Sequence, residues 1–305
     1  MGRLGDASNA VFLVRVLPRE DSPLAFGDRW AGPAHAIYKP IRGERPLWDF
    51  PDGQLAHREV AAYLISSAGG WGLIPATVLR DGPYGEGSLQ YWVTAPPYGG
   101  DAQPGRELAD ERPGENSGER PDNAEGPGAV LDESMDPEDP SRPVPADILI
   151  VPVGQVPPGY LPVLSGRLPD GTAVQVAHAD TDDLAAMAVL DAVLNNSDRK
   201  GSHVLRDARA GLWGVDHGVS LHVEAKLRTV LWGWEGDPIR VADLDRLERL
   251  AQALADRTGP LRVALAPLLT GPEIAALIAR VDELRRSGRY PHPPHGWPSV
   301  PWPAL

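Results

Sequence analysis

The most informative part of the sequence is Asn-Asn-Ser-Asp-Arg-Lys-Gly-Ser-His at residues 195–203, followed thirteen residues later by Asp-His-Gly at residues 216–218. An apolar stretch, residues 184–194, leads into the first motif, and two short apolar runs with a turn between them separate the motifs. This pattern predicts a helix, a polar loop and a β-hairpin that ends in an acid. The polar loop therefore carries Asp198, and the end of the hairpin carries Asp216.

The region around these motifs, residues 146–305, is predicted to be mainly helical. One helix is capped by Asp180 or Thr181 and ends near Leu194, with Asn195 at its C-cap. Two further helices are predicted at residues 241–257 and from the Thr-x-x-Glu capping box at Thr270 to about Arg286. The Pro-, His- and Trp-rich tail from Tyr290 is expected to be an extended strap, packed on the protein by its tryptophans.

The region upstream, residues 1–100, is predicted to be a small β-rich lobe with one helix. The helix is expected at residues 55–67, where the apolar positions form a stripe of helical spacing. Extended segments are expected at residues 11–16, 34–40, 72–79 and 88–93.

A Pro-, Gly- and acid-rich insertion, residues 101–145, separates these two parts. The chain has a formal charge of -13, and residues 101–142 hold 13 acidic residues and 4 arginines, a net of -9 that leaves only -4 for the rest. So few apolar residues cannot offset the ordering entropy of such a segment, and disorder is predicted. It is either a tolerated loop expansion or a regulatory, partner-binding segment.

Composition excludes several classes of function. The 305 residues contain no cysteine, so disulfides and thiolate metal sites are excluded. Without a basic block, nucleic-acid binding is not expected. There is no signal-like N-terminus and no run of about 20 apolar residues, so we expect a cytoplasmic, monomeric protein without stable membrane association. No Gly-x-Ser-x-Gly elbow and no His-x-x-x-His helix motif is present.

Together the motifs resemble the phosphatidylinositol 3-/4-kinase-like superfamily, in its compact actinobacterial kinase-like branch. The resemblance spans nearly the whole chain apart from the insertion. It rests on residues 8–13, 36–40, 43–51, 58–63, 196–200 and 215–218. It implies an α+β, two-lobed protein-kinase-like fold with a β-rich N-lobe and a helical C-lobe, and ATP with Mg²⁺ or Mn²⁺ as cofactors.

The resemblance also implies a nucleotide site in the N-lobe. Lys39 would reach the phosphates and Glu59 would hold it, although a strand lysine and a helix glutamate are also ordinary surface residues. Ser8 and Asn9 would belong to a turn over the phosphates. The adenine-contacting hinge would fall at the end of the last strand, at Tyr91, Trp92 and Val93, where packing in the core is the alternative.

The catalytic residues are implied by the Asp-Arg-His-x-x-Asn and Asp-Phe-Gly motifs of that superfamily. Asp198 would orient or deprotonate the acceptor hydroxyl, Arg199 would hold the loop, and Lys200 would contact the γ-phosphate. Asp216 would bind the metal. His203 stands where the superfamily has a metal-binding asparagine. It can bind Mn²⁺ or contact phosphate; if it does neither, the site holds only one metal ion.

The expected function is therefore transfer of the γ-phosphate of ATP to a hydroxyl. After Asp216 only Lys226 and Arg228 supply nearby positive charge, which is less than inositol lipids demand. Protein Ser/Thr, including autophosphorylation, or a soluble metabolite is the favoured acceptor. The alternatives are a pseudokinase or nucleotide-binding regulatory scaffold, and an interaction protein that keeps only the fold.

Overall fold

The structure, a computed structural model, describes residues 2–3, 10–16, 34–42, 44, 47, 55–94, 147–168, 170–294, 296, 298–302 and 304. The predicted insertion, residues 101–145, lies outside the described residues, as do Ser8 and Asn9. Strands dominate the first part of the described chain and helices the last, so the predicted α+β class is confirmed.

The N-terminal part is an antiparallel sheet with the order β1-β2-β3-β5-β4. Its strands are β1 (Gly2–Arg3), β2 (Phe12–Val16), β3 (Ala34–Pro40), β4 (Thr77–Gly82) and β5 (Gly85–Tyr91), with helix α1 (Leu55–Gly69) between β3 and β4. The predicted strand at 34–40 is confirmed to the residue. The last two strands form a tighter hairpin than predicted, because pairing continues to the turn itself, where Gly82 faces Gly85.

A second antiparallel sheet was not predicted. It consists of β6 (Ile148–Pro152), β7 (Tyr160–Arg167) and β8 (Ala173–Ala179), with β8 in the middle. The expectation of a mainly helical region from residue 146 is therefore wrong for residues 148–179, about its first fifth. Prolines obscure the strand pattern: Pro152 ends β6, and Pro162 lies at a register shift in β7, a position where a missing N–H is tolerated.

The helices follow the second sheet. They are α2 (Asp182–Leu194), α3 (Val241–Ala255), α4 (Pro260–Leu265) and α5 (Gly271–Ser287), and the hairpin of β9 (Val204–Arg206) and β10 (Leu212–Gly214) follows α2. Every residue of α2 from Leu184 to Leu194 is buried, so this helix runs through the core rather than along the surface. The predicted capping box of Thr270 and Glu273 opens α5.

One hydrophobic core joins the two parts of the described chain. Helix α1 packs on β4 and β5 and also on α3 and α4, and its Val60 and Ile65 share a cluster with the side chains of α2. This packing brings the loop after α2 and the loop after β10 towards β3 and α1. No helix among the described residues is long and apolar enough to cross a bilayer.

The C-terminal tail packs differently from the prediction. Pro301 and Ala304 are buried, whereas the Trp302 side chain is 53% exposed. Trp297 lies outside the described residues. Within the described part of the tail, the buried Tyr290, Pro301 and Ala304 and the backbone carbonyls of Ser299 and Ala304 hold the strap, rather than Trp302.

Candidate functional site

Lys39 is the centre of an ion network that joins three separate elements. Its Nζ donates to Glu59 Oε1 at 2.5 Å and to Asp216 Oδ1 at 2.8 Å. Lys39 comes from β3, Glu59 from α1 and Asp216 from the loop after β10. The predicted Lys39–Glu59 pair is thus present, and Asp216 joins it from 177 positions away in the sequence.

The charges of this network alter one another's protonation. Burial alone would lower the pKa of the Lys39 ammonium, but the carboxylates of Asp216 and Glu59 outweigh it and raise that pKa. The Lys39 charge holds the pKa of Asp216 far below its usual range. Burial raises the pKa of Glu59, and among the described atoms its Oε2 has no hydrogen-bond partner. Two carboxylates therefore share one ammonium, and a further cation would be stabilised there.

A cleft of about 320 Å³ opens next to this network. That volume lies within the range of small-molecule sites. Its walls come from β3 and the segment after it, from the start of α1, and from the loops that follow α2 and β10. The lining residues are Ala10, Lys39, Pro40, Glu44, Leu47, Leu55, Ala56, Glu59, Asp198, Asp216, Gly218, Val219 and Arg228.

Asp198 lies in the cleft wall on a loop that the protein holds firmly. Asn195 ends α2 in the left-handed conformation, with φ 51°, as the predicted C-cap. The side-chain oxygen of Asn196 then accepts a hydrogen bond from the Asp198 N–H at 3.1 Å. Lys200 Nζ lies 3.2 Å from Asp198 Oδ2, so this lysine neutralises the carboxylate, although it does not itself line the cleft.

Arg199 is fully buried and holds the loop from inside. Its guanidinium donates to the Asp191 carboxylate, to the backbone carbonyls of His203 and Val215, and to His217 Nε2. Arg199 is absent from the cleft wall, so we interpret it as the residue that positions the loop, the role that the resemblance itself implied.

His217, the middle residue of Asp-His-Gly, is a neutral part of this interior. A guanidinium can only donate, so Nε2 accepts from Arg199 at 2.7 Å and Nδ1 carries the proton. Burial and the Arg199 charge put the pKa of His217 well below its usual value. Its Nδ1 has no hydrogen-bond partner within the described part of the chain.

His203 and Asp216 face each other across a short gap. His203 Nδ1 lies 2.8 Å from the Asp198 carbonyl oxygen, and Nε2 lies 3.6 Å from Asp216 Oδ2. Burial lowers the pKa of His203, and Asp216 only partly opposes this. Asp216 itself has φ 59°, a left-handed conformation that aspartate tolerates better than most residues.

The hinge candidates do not join this site. Tyr91 ends β5, Trp92 donates its backbone N–H to His35, and Val93 is buried. None of the three is among the described residues that line the cleft. Val93 is instead packed in the core, which was the alternative to a hinge role.

Two cleft residues were missed from the sequence as site residues. Glu44 accepts from the N–H groups of Leu55 and Ala56 and thereby fixes the first turn of α1, which carries Glu59. Arg228 donates from Nε to the Ser197 carbonyl oxygen at 2.6 Å beside Asp198. Their roles have no local signal, since no spacing in the sequence shows which backbone groups Glu44 and Arg228 bind.

A metal would find few protein ligands here. No group of three or more His, Asp and Glu side chains within the described residues is arranged to hold one. Asp216, with its side chain 52% exposed, and His203 are the donors at hand. Two protein donors suit a cation whose remaining ligands are phosphate oxygens and water.

The chain is similar to protein Rv2133c of Mycobacterium tuberculosis. The two are 42% identical over 307 aligned residues, which cover 100% of this chain and 91% of the relative. No protein-family model and no solved structure matches the chain.

Proposed function

The chain belongs to the family of protein Rv2133c, whose name states no activity, and we propose from the site itself that the protein is an ATP-dependent phosphotransferase acting on a hydroxyl. The observation that carries the proposal is the contact of Lys39 with both Glu59 and Asp216, at the edge of a cleft that also holds Asp198. Phosphoryl transfer requires an anchored cation for the phosphates, an acid for metal binding and a second acid for the hydroxyl. These three groups meet at this cleft.

Each side chain then has a defined task. Glu59 holds the Lys39 ammonium, which binds phosphate oxygens when its contact with Asp216 is released. Asp216, whose pKa is depressed, stays ionised and, together with His203, would hold the metal. Bound there, Mg²⁺ or Mn²⁺ would neutralise charge on the phosphates.

Asp198 is the group proposed to receive or orient the acceptor hydroxyl. Its backbone is fixed by Asn196, and the loop behind it is held by the buried Arg199. A carboxylate fixed in this way reduces the entropy lost in aligning the hydroxyl with the γ-phosphate. Lys200, at 3.2 Å from Asp198, balances its charge, and the proposal includes its contact with the γ-phosphate. Protein Ser/Thr, including the protein itself, and soluble metabolites are the proposed acceptors.

The test is ATP binding and turnover by the full chain with Mg²⁺ or Mn²⁺. We expect Asp198→Asn to bind ATP like the wild type but to lose at least about 100-fold in transfer, the usual contribution of a positioned acid or base. Lys39→Met should lose binding as well. Asp245→Asn is the matched control, since Asp245 is an exposed carboxylate on α3. Unchanged thermal unfolding of the wild type with ATP and metal would contradict the proposal.

A nucleotide-binding scaffold without transfer is the second candidate. The observation in its favour is that Lys39 and Asp216 neutralise each other directly, at 2.8 Å, so nucleotide must break an ion pair before it can be aligned. Tight ATP binding, with no phosphate transferred to any acceptor or to the protein itself by mass spectrometry, would support this candidate over the enzyme.

A further inference from the structure

Arg58 precedes Glu59 on α1, and its side chain runs into the core, where it is only 2% exposed. Its Nη1 donates to the Ser220 carbonyl oxygen at 2.6 Å, and its Nη2 donates to Glu273 Oε1 at 2.5 Å. One planar guanidinium therefore joins three parts of the chain: α1, the segment after the Asp-His-Gly turn, and the start of α5.

The α5 side of this contact is held by the capping box. Glu273 is 4% exposed, and its two oxygens have separate partners. While Oε1 accepts from Arg58, Oε2 accepts the Thr270 N–H at 2.8 Å and the Thr270 hydroxyl at 2.9 Å. The buried carboxylate balances the buried guanidinium, and it gives α1 a fixed reference point at the first turn of α5.

The segment after the Asp-His-Gly turn runs close along α1. A Cβ on Gly218 would lie 3.2 Å from Leu55 Cβ, so glycine at this position permits the close approach. Two residues further on, Ser220 supplies the carbonyl oxygen that accepts from the guanidinium. The Ser220 hydroxyl donates to the His217 carbonyl oxygen at 2.7 Å. The bond from α1 thus ends on a residue that is itself tied to the turn that carries Asp216.

The same segment contacts the loop that carries Asp198. The Val219 carbonyl oxygen accepts the Ser197 N–H at 2.9 Å. Val219 is the neighbour of Ser220, and Ser197 is the neighbour of Asp198. The guanidinium on α1 is therefore connected, through one short stretch of backbone, to both loops that carry acids of the site.

We propose that Arg58 is a positioning residue, which sets Glu59 and its partner Lys39 relative to Asp216. Arg58 is not one of the described residues that line the cleft, so it acts through its neighbours. A guanidinium directs its donors along a fixed fork, whereas an ammonium is a point charge, so lysine does not reproduce this function. The effect on phosphate transfer rests on the proposed function, but the effect on Lys39 does not.

The test is acylation of the amines of the full chain with acetic anhydride, read by mass spectrometry without nucleotide. The chain has three lysines, at positions 39, 200 and 226. Burial alone would lower the pKa of Lys39, but its two carboxylate partners outweigh burial and raise it, so this amine reacts slowly. We expect Arg58→Lys to increase the rate at Lys39 by about 10-fold relative to Lys200, which corresponds to a fall of about one unit in the pKa of Lys39.

The lysine substitution separates position from charge. If Arg58 served only to balance the Glu273 carboxylate, Arg58→Lys would leave the rate at Lys39 unchanged. Circular dichroism shows whether the variant is folded. If Arg58→Lys is unfolded, the double variant Arg58→Gln/Glu273→Gln decides, because it removes both buried charges together and still loses the bond to Ser220. The same increase at Lys39 is expected from it.

Arg246→Lys is the matched control. Arg246 Nη1 lies 2.7 Å from Oδ1 of Asp243, a buried carboxylate three residues earlier on α3. The substitution again replaces a guanidinium at a buried carboxylate, but the pair lies within one helix and does not join α1 to the Asp-His-Gly segment. The rate of acylation at Lys39 should stay at the wild-type value.

The inference is overturned if folded Arg58→Lys acylates at Lys39 as the wild type does, or if Arg246→Lys increases that rate equally. Parallel ATP assays keep it apart from the proposed function. Arg58→Lys should lose at least about 10-fold in transfer, since displacement of a reacting group by about 1 Å can cost about 100-fold. Faster acylation at Lys39 without transfer by the wild type would retain the role of Arg58 and reject the enzyme. Transfer by the wild type, with acylation unchanged in the variant, would retain the enzyme and overturn the inference.

Discussion

At the residue scale, the buried Asp191–Arg199 pair determines whether the loop holds its shape. Both side chains are fully buried. Arg199→Met leaves the Asp191 charge inside the core and is expected to destabilise the fold by about 3–5 kcal/mol. The double variant Asp191→Asn/Arg199→Met should lose less, because no unpaired charge remains. Urea unfolding measures both.

The control for this prediction is a surface pair. Arg286 and Glu283 on α5 are exposed, so Arg286→Met should hardly change the urea midpoint. If the double variant is less stable than Arg199→Met, the loss in the single variant is not caused by a buried Asp191 carboxylate without its partner cation.

His178 gives stability a dependence on pH. It is fully buried, donates from Nδ1 to the Ala179 carbonyl oxygen, and accepts the Gly233 N–H on Nε2. Burial lowers the pKa of His178. If Nε2 were protonated, its N–H would face the Gly233 N–H, so two donors would meet without an acceptor. In the unfolded chain the His178 imidazole has a pKa of about 6.5, so below that pH the unfolded chain binds more protons than the folded protein does.

The contribution of neutral His178 to the free energy of unfolding is thus fully present above about pH 6.5. It is lost as the pH falls below that value, by at most about 1.4 kcal/mol per pH unit. We expect His178→Gln to make the decline in unfolding free energy between pH 7 and 5 less steep, and the rest of the decline to come from groups such as His203 and His217, whose pKa values burial also lowers. The same variant at pH 8 gives the pH-independent effect of the substitution. An unchanged slope would show that His178 is not the group that titrates.

At the scale of elements, the end of α2 depends on Asn195. Its left-handed backbone suits asparagine, and its side chain donates to the His222 and Glu224 carbonyl oxygens and accepts from the Lys226 N–H. Asn195→Gly loses only the side-chain bonds. Asn195→Ala loses them and adds strain, so it should be less stable than the glycine variant by about 1 kcal/mol in urea unfolding.

Ala210 provides the matched comparison. It has φ 62° in the β9–β10 turn, and its methyl group makes no hydrogen bond. Ala210→Gly should therefore be neutral or stabilising by up to about 1 kcal/mol. If Asn195→Ala and Asn195→Gly are equally stable, the cap acts through its side-chain bonds alone.

Elements with a strong local signal were predictable from the sequence. The apolar run of α2, the capping box of α5 and strand β3 are each specified by neighbouring residues. The second sheet was not predictable in the same way, since the pairing of β6 with β8 depends on partners more than twenty residues apart. Its proline-containing strands lack a clear alternation of apolar and polar residues.

The residues of the candidate site show the same difference between local signals and contacts made by distant parts of the chain. The pairing of Lys39 with Glu59 was predictable, because a motif resemblance specifies a strand lysine and a helix glutamate. Arg228 and Glu44 were not, since each enters the cleft through backbone contacts that no spacing encodes. The direct ion pair between Lys39 and Asp216 joins residues 177 positions apart, and it depends on how the two parts of the described chain pack on each other.

At the scale of the whole molecule, the C-terminal tail braces the loop that carries Asp198. The Ala304 carbonyl oxygen accepts the Gly201 N–H at 2.8 Å. The Ser299 carbonyl oxygen accepts the Thr229 N–H at 3.0 Å and the Trp232 indole N–H at 2.7 Å. The tail thus contacts the loop itself and the strand-like segment beside it, where Arg199 bridges to Thr229.

Removal of residues 299–305 should therefore loosen the loop without disturbing the network of Lys39, with which the described part of the tail makes no hydrogen bond or ion pair. We expect hydrogen exchange at Gly201 and Thr229 to accelerate by at least about 10-fold, since each loses its acceptor, while exchange in α1 is unchanged. ATP binding should persist and transfer should fall. Trp232→Phe, which deletes one indole donor, should give a smaller effect, and Trp302→Phe, at a half-exposed position, none. Unchanged protection at Gly201 in the truncated chain would mean that the loop is held by Arg199 alone.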